Sequence, residues 1–162
     1  MVYAKGGSMN VVKGDLLELG KLNKFDIIMH GCNCFNTMGG GIALQIANRF
    51  PDAKLADDET VRGDAGKLGT YTIGMDGRLV ILNCYTQYSI SRDGRDVFEY
   101  LAFERVLDRI ALRFGKWRIG LPLIGMGLAG GDPERIVPMI ERFAQNMERQ
   151  GGSATLVEWE KK

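Results

Sequence analysis

The chain is 162 residues long, 45% hydrophobic and 25% charged, with 21 basic and 20 acidic side chains and a formal charge of +1. That length suits one domain with a three-layer core, and the balanced charge gives no general pull toward nucleic acid or an anionic membrane. No apolar run reaches the roughly 18 residues a membrane span requires and no signal-peptide pattern is present, so a soluble, cytoplasmic, monomeric protein is expected.

Residues 1–8, "MVYAKGGS", are short, polar and glycine-rich; they read as an appended or disordered tail, which leaves 9–162 as a single domain. "MNVVKGD" predicts a short strand ended by Gly14-Asp15. "FDIIMHG" is a near-continuous apolar run, the pattern of a strand covered on both sheet faces. "GIALQIANRF" places Ile42, Leu44, Ile46, Ala47 and Phe50 at helical spacing and predicts a buried helix stopped at Pro51. "DAKLADDETV" predicts a short polar helix, with the acidic run Asp57-Asp58-Glu59 on a solvated face rather than at a metal. "GTYTIGMDGRLVILNCYTQ" predicts a hairpin turning at Asp76-Gly77. "VFEYLAFERVLDRIALRF" predicts an amphipathic helix capped at Ser91, Asp93 or Asp96. "WRIGLPLI" predicts another buried strand. "DPERIVPMIERFAQNMERQ" opens a helix with Asp132 at the cap and Pro133 at the first position, and Pro138 is a candidate kink. "ATLVEWE" predicts the last strand. Strands alternating with helices around one hairpin predict an α/β fold, a mixed central sheet between two helical layers.

Cys32, Cys34 and Cys84 lack the spacing of a zinc site or a disulfide framework, and they read as small packing side chains in a reduced protein. No arginine follows any of them at the sixth position, where Met38, Gly40 and Ile90 stand. A thiol-based phosphatase is thereby excluded.

Chemistry concentrates in two glycine-rich segments, "GCNCFNTMGGGIA" and "LPLIGMGLAGGDPERI", each running from a strand into a helix. Such turns let backbone N–H groups approach an anion at a helix N-terminus, and open α/β sheets bind ligands beyond the carboxyl ends of their strands. A pair of them suits a diphosphate. "GMGLAG" matches the dinucleotide fingerprint by letter alone: the next strand carries Glu158 about thirty residues on, where the fingerprint needs an acid about 20 residues away. No Walker A spacing occurs, which disfavours an NTPase.

"KGDLLEL", "GCNCFNTMGGGIALQ", "RFP", "KLGT" and "LPLIGMGLAGGD", in that order, resemble the macrodomain family, and within it the branch of ADP-ribose 1″-phosphate phosphatases and ADP-ribosyl hydrolase antitoxins. The similarity runs from Met9 to about Trp159. It implies a three-layer α/β/α macrodomain-like fold and a site for ADP-ribose, with no cofactor and no metal. It further implies that Asp15 accepts a hydrogen bond from the adenine amino group, with the Leu16 amide beside it, and that Asn33 touches the distal ribose. Gly39, Gly40, Gly41 and Ile42 would wrap that ribose and the pyrophosphate. Ile124, Gly125, Met126, Gly127 and Leu128 would hold the diphosphate, and Trp159 would border adenine.

His30, the chain's one histidine, titrates near neutrality and stands next to the first loop, so it is a candidate acid or base. Asp132, beyond the second loop, is its candidate partner, with Asn33 positioning the sugar. Joined to the resemblance, this pair predicts removal of the terminal phosphate from ADP-ribose 1″-phosphate. Two other readings stand beside it. One is an ADP-ribosyl hydrolase acting on protein or nucleic acid with Lys67 as base, although Ala129 occupies the place of an aspartate that some members of the branch use. The other is a reader that binds ADP-ribose without chemistry.

Overall fold

The computed structural model describes residues 9–90, 97–127 and 129–160. In chain order these form β1 (Asn10–Gly14), α1 (Leu16–Lys21), β2 (Ile27–Cys32), α2 (Gly41–Arg49), α3 (Pro51–Asp58), a 3₁₀ turn (Ala65–Lys67), β3 (Tyr71–Asp76), β4 (Leu79–Tyr85), α4 (Tyr100–Phe114), β5 (Arg118–Leu121), α5 (Pro133–Arg149) and β6 (Ser153–Trp159). The strands make one sheet in the order β1-β6-β5-β2-β4-β3. Pairing is parallel throughout except for β3 against β4. The mixed sheet predicted from the strand pattern is therefore present, with its antiparallel edge supplied by the Asp76-Gly77 hairpin. Gly77 turns at φ 58°, a backbone region that favours glycine.

Helices cover both faces. On one side α4 and α5 bring Phe103, Val106, Ile110, Ile136, Ile140 and Met147 against Ile27, Met29, Leu82 and Ile119 of the sheet. On the other, α1 to α3 bring Leu17, Ile46 and Ala53 against Ile28, Ile81 and Tyr85. Alternation along β2 and β4 supplies both cores from the same strands, which is why these segments read as unbroken apolar runs. Each fully buried aliphatic chain of this kind contributes about 1.5 to 3 kcal/mol.

Several elements differ from expectation, each for a local reason. Among α2 helix residues only Ile46 is fully buried, while Leu44 is exposed; α2 lies on the surface rather than in the core. Helix α4 begins at Tyr100, after Phe98 has paired as an isolated bridge with Gln87, and its N-cap is Glu99 without a side-chain bond. The caps expected at Ser91, Asp93 or Asp96 lie outside the described residues. At α5 the expectation holds in detail: Asp132 caps through Glu134 N at 2.9 Å, Pro133 follows, and the helix runs on through Pro138 to Arg149. The acidic run on α3 divides. Asp58 and Glu59 are exposed, whereas Asp57 is buried, four residues from buried Ala53 on the inward face. No helix of the described residues is long and apolar enough to cross a membrane.

Candidate functional site

The two glycine-rich segments leave the carboxyl ends of β2 and β5, which are adjacent in the sheet. They therefore face each other, and two cavities of about 520 and 420 Å³ open between them. Gly41, Ile42, Pro122, Leu123 and Gly127 line both, so the pair is one continuous groove with two ends. Those volumes suit small-molecule sites.

The smaller end is lined by Asp15, Leu16, Gln45, Met126, Val157 and the exposed ring of Trp159. Asp15 also caps α1, with Oδ1 accepting from Leu17 N at 3.0 Å and from Glu18 N at 3.3 Å. Its Oδ2 lies 3.8 Å from the Arg49 guanidinium. The cap fixes the carboxyl at the mouth of this cavity, so a structural duty and a place on the wall coincide.

The first loop shapes the larger end. Asn33 Oδ1 accepts from Phe35 N at 2.8 Å, and its Nδ2 donates to Thr37 Oγ1 at 2.8 Å; the side chain closes the loop on itself while lining the cavity. Asn36 and Met38 adopt φ of 58° and 42°, a region costly for residues with a Cβ, immediately before the glycine triplet. Gly40 is the N-cap of α2 and offers no side chain to the first-turn amides, which leaves them available at the junction of the two cavities.

The second loop turns at Gly125, φ 82°, where a Cβ would stand 2.4 Å from the Phe98 ring. Two of the amides expected to hold phosphate are engaged within the loop: Ile124 N donates to Pro122 O at 2.8 Å and Met126 N to Leu123 O at 3.3 Å. Ile124, Gly125, Gly127 and Ala129 nevertheless line the larger cavity. Leu128 lies outside the described residues.

His30 and Asp132 are not brought together. His30 is fully buried, lines neither cavity, and directs Nε2 to Asn83 Oδ1 at 2.7 Å. Neighbouring Gly31 and Cys32 reach the groove, but the imidazole packs on the α1–α3 side of the sheet beside its cross-strand partner Asn83. Burial lowers its pKa to about 4, only partly opposed by the Asn83 bond. A neutral, enclosed imidazole cannot exchange protons with a ligand in the groove. Asp132 is exposed and occupied as the α5 cap, and it too is absent from both cavity walls. The predicted acid–base pair is corrected on these grounds.

Lys67 is also buried and lines neither cavity. Its Nζ donates to Asn36 Oδ1 at 2.7 Å and Thr60 Oγ1 at 2.9 Å, and stands 5.3 Å over the Tyr85 ring. In this geometry it braces the loop that follows α3. The three cysteines are free and buried, and burial raises all three thiols, which keeps them protonated and poor nucleophiles. Among the described residues no cluster of side chains could hold a metal ion.

Several residues of the larger cavity escaped the sequence reading, and Asp57 is the charged one. Asp57 lines it with only 1% of its surface exposed. Its Oδ1 accepts from Tyr85 Oη at 2.8 Å, while Oδ2 has no hydrogen-bond partner among the described residues. Burial raises this carboxyl above the usual range, and the Tyr85 bond acts in the opposite direction. Thr86 Oγ1, on the same wall, is likewise without a partner among the described residues. The available signal was spacing: Asp57 follows Ala53 by one helical turn.

A six-stranded mixed sheet between two helical layers, with paired loops at the strand ends enclosing a two-ended groove, is the macrodomain arrangement. The macrodomain of Mycobacterium tuberculosis DarG superposes with a TM-score of 0.67 at 21% identity, over 97% of this chain and 100% of that one. Thermosipho africanus DarTG, in complex with ADP-ribose, gives 0.69 at 16% identity, over 94% of this chain and 42% of that one. By sequence, the chain is 32% identical over 159 residues to an uncharacterized 17.5 kDa protein of enterobacteria phage T4, covering 92% of this chain and 95% of the phage protein. A shorter match, 40% identical over 47 residues, covers 29% of this chain and 25% of an ADP-ribose 1″-phosphate phosphatase of Saccharomyces cerevisiae. No family model matches. The chain has the macrodomain fold and belongs to one family with the phage protein.

Proposed function

We propose that this protein binds ADP-ribose along the groove, adenine toward Asp15 and Trp159 and distal ribose toward Asn33 and Asp57, and hydrolyses a bond to that distal ribose. The observation carrying the reading is the sharing of Gly41, Ile42, Pro122, Leu123 and Gly127 between the two cavities. A ligand with adenosine at one end, a ribose at the other and a diphosphate between them fits a groove whose waist is glycine backbone and the uncapped start of α2. Thermosipho africanus DarTG, which shares this fold over 42% of its chain, is found in complex with ADP-ribose, and this supports the choice of nucleotide.

For the group removed, two readings carry separate support. The stretch of identity with the yeast enzyme favours phosphate as the leaving group. The buried carboxylate beside the distal end favours a substrate without a second dianion there, such as an ADP-ribosyl group on protein or nucleic acid, because like charges in a desolvated site repel strongly. The experiment is direct. Calorimetry with ADP-ribose should give saturable heat at a 1:1 ratio, and no heat would reject the groove as its site. Incubation with ADP-ribose 1″-phosphate, ADP-ribosylated protein and ADP-ribosylated DNA then assigns the chemistry by which one yields product. Binding without any product would leave a reader.

A further inference from the structure

Asp57 is joined to His30 by an unbroken string of hydrogen bonds that runs sideways through the sheet. His30 Nε2 meets Asn83 Oδ1 at 2.7 Å, and Asn83 Nδ2 meets Thr72 Oγ1 at 3.0 Å. Thr72 Oγ1 meets Tyr85 Oη at 3.1 Å, and Tyr85 Oη meets Asp57 Oδ1 at 2.8 Å. Strand register makes this possible, since His30 on β2 and Thr72 on β3 both stand opposite Asn83 on β4.

With Asp57 ionised, the direction of every proton in the string is fixed by chemistry. Asn83 Nδ2 also donates to the Ala53 carbonyl at 2.9 Å; a carbonyl only accepts, so the amide orientation is determined and Oδ1 must face the imidazole. His30 therefore donates from Nε2. The second Nδ2 hydrogen goes to Thr72 Oγ1, whose own hydrogen goes to Tyr85 Oη, whose hydrogen goes to Asp57 Oδ1. All donors point toward Asp57. Such a row stabilises the carboxylate as a pure acceptor and cooperatively strengthens each bond. One oxygen is held by the protein. The other, Oδ2, has no partner among the described residues and belongs to a residue of the cavity wall.

We propose that Asp57 is the residue that reads the distal sugar, its Oδ2 accepting a hydroxyl hydrogen from the terminal ribose, with Tyr85, Thr72, Asn83 and His30 as positioning residues behind it. The inference rests on the groove being the ADP-ribose site and adds which side chain selects the far end of the ligand. Asp57 touches the sugar; His30 acts only through the string.

The test is a pair of affinities, for ADP-ribose and for ADP, which lacks the distal ribose. In the full chain, Asp57→Asn keeps an acceptor for Tyr85 but turns N–H donors toward the cavity. It should weaken ADP-ribose by roughly tenfold or more while leaving ADP unchanged. Tyr85→Phe removes the donor that anchors Oδ1 and should show the same split at smaller size, so a poorly folding Asp57→Asn would not end the trial. Thermal melts verify that each variant is folded. Equal ADP-ribose affinity in folded wild type and both variants would overturn the proposal, as would equal losses for ADP-ribose and ADP. If wild type binds neither nucleotide, the groove reading itself fails and takes this inference with it. If wild type binds both and only the split is missing, the groove reading stands and the role of Asp57 does not.

Discussion

His30 is the residue at which position along the chain and position in space separate most sharply. Its neighbours Gly31 and Cys32 reach the groove, but the imidazole lies deeper along β2, on the same α1–α3 face as Cys32 and beside Asn83 under α3. A strand residue one place before a binding loop has no means of announcing which face it takes when both faces are buried. The consequence is measurable, because the chain has a single histidine. Its ring-proton resonance should stay constant between pH 8 and 5, and a titration midpoint near the ordinary 6.5 would contradict a pKa lowered to about 4. Stability follows with a definite sign. Above pH 6.5 folded and unfolded chains both carry neutral imidazole; as pH falls toward 4 only the unfolded chain takes up the proton, so stability is lost through that window. The loss attributable to His30 is up to about 3 kcal/mol, read as the difference between wild type and His30→Gln in urea melts at pH 7 and 4.5. Gly125 offers a second residue-level test. Its φ of 82° and a Cβ position 2.4 Å from the Phe98 ring make Gly125→Ala doubly unfavourable, by about 2 to 4 kcal/mol in the same melts.

At the scale of elements, α3 decides whether the site is legible. The sequence pattern marks it as a short polar helix, and polarity correctly places Asp58 and Glu59 in solvent. What polarity hides is that α3 lies directly on β3: a Cβ on Gly74 would stand 2.5 Å from Ala53 Cα. That contact draws the Ala53 and Asp57 side of the helix inward, and a carboxylate is buried where composition predicts exposure. Pairing with Tyr85 and a place on the groove wall make that burial tolerable. By contrast, Asp132-Pro133 was readable to the residue because capping chemistry is local, requiring only a side-chain oxygen and a pre-set φ. Gly74→Ala should therefore do two things together. It should lift α3 from the sheet at a cost of about 1 to 3 kcal/mol, and it should weaken ADP-ribose more than ADP because Asp57 moves with the helix. Denaturant melts and calorimetry check the two parts. A destabilised variant with unchanged nucleotide preference would mean that α3 does not carry the distal subsite.

For the whole molecule, strand-and-helix alternation gave the three layers, and the hairpin gave the antiparallel edge. The order β1-β6-β5-β2-β4-β3 is a different kind of fact, since it depends on which crossovers pack. That order puts β2 beside β5 and so brings two loops some ninety residues apart in sequence into one groove. A ligand spanning it couples two ends that each carry a side chain absent from the other: Trp159 at the smaller cavity and Asp57 at the larger. Trp159→Ala removes a ring that is 64% exposed, so it should change stability little, yet it should weaken ADP and ADP-ribose alike through lost contact with the base. Asp57→Asn should weaken ADP-ribose alone. Because the two side chains act on opposite ends of one rigid groove, the double variant should lose the sum of the single losses to within about 0.5 kcal/mol. A double variant no weaker than the worse single would mean that the two ends never hold the same molecule at once.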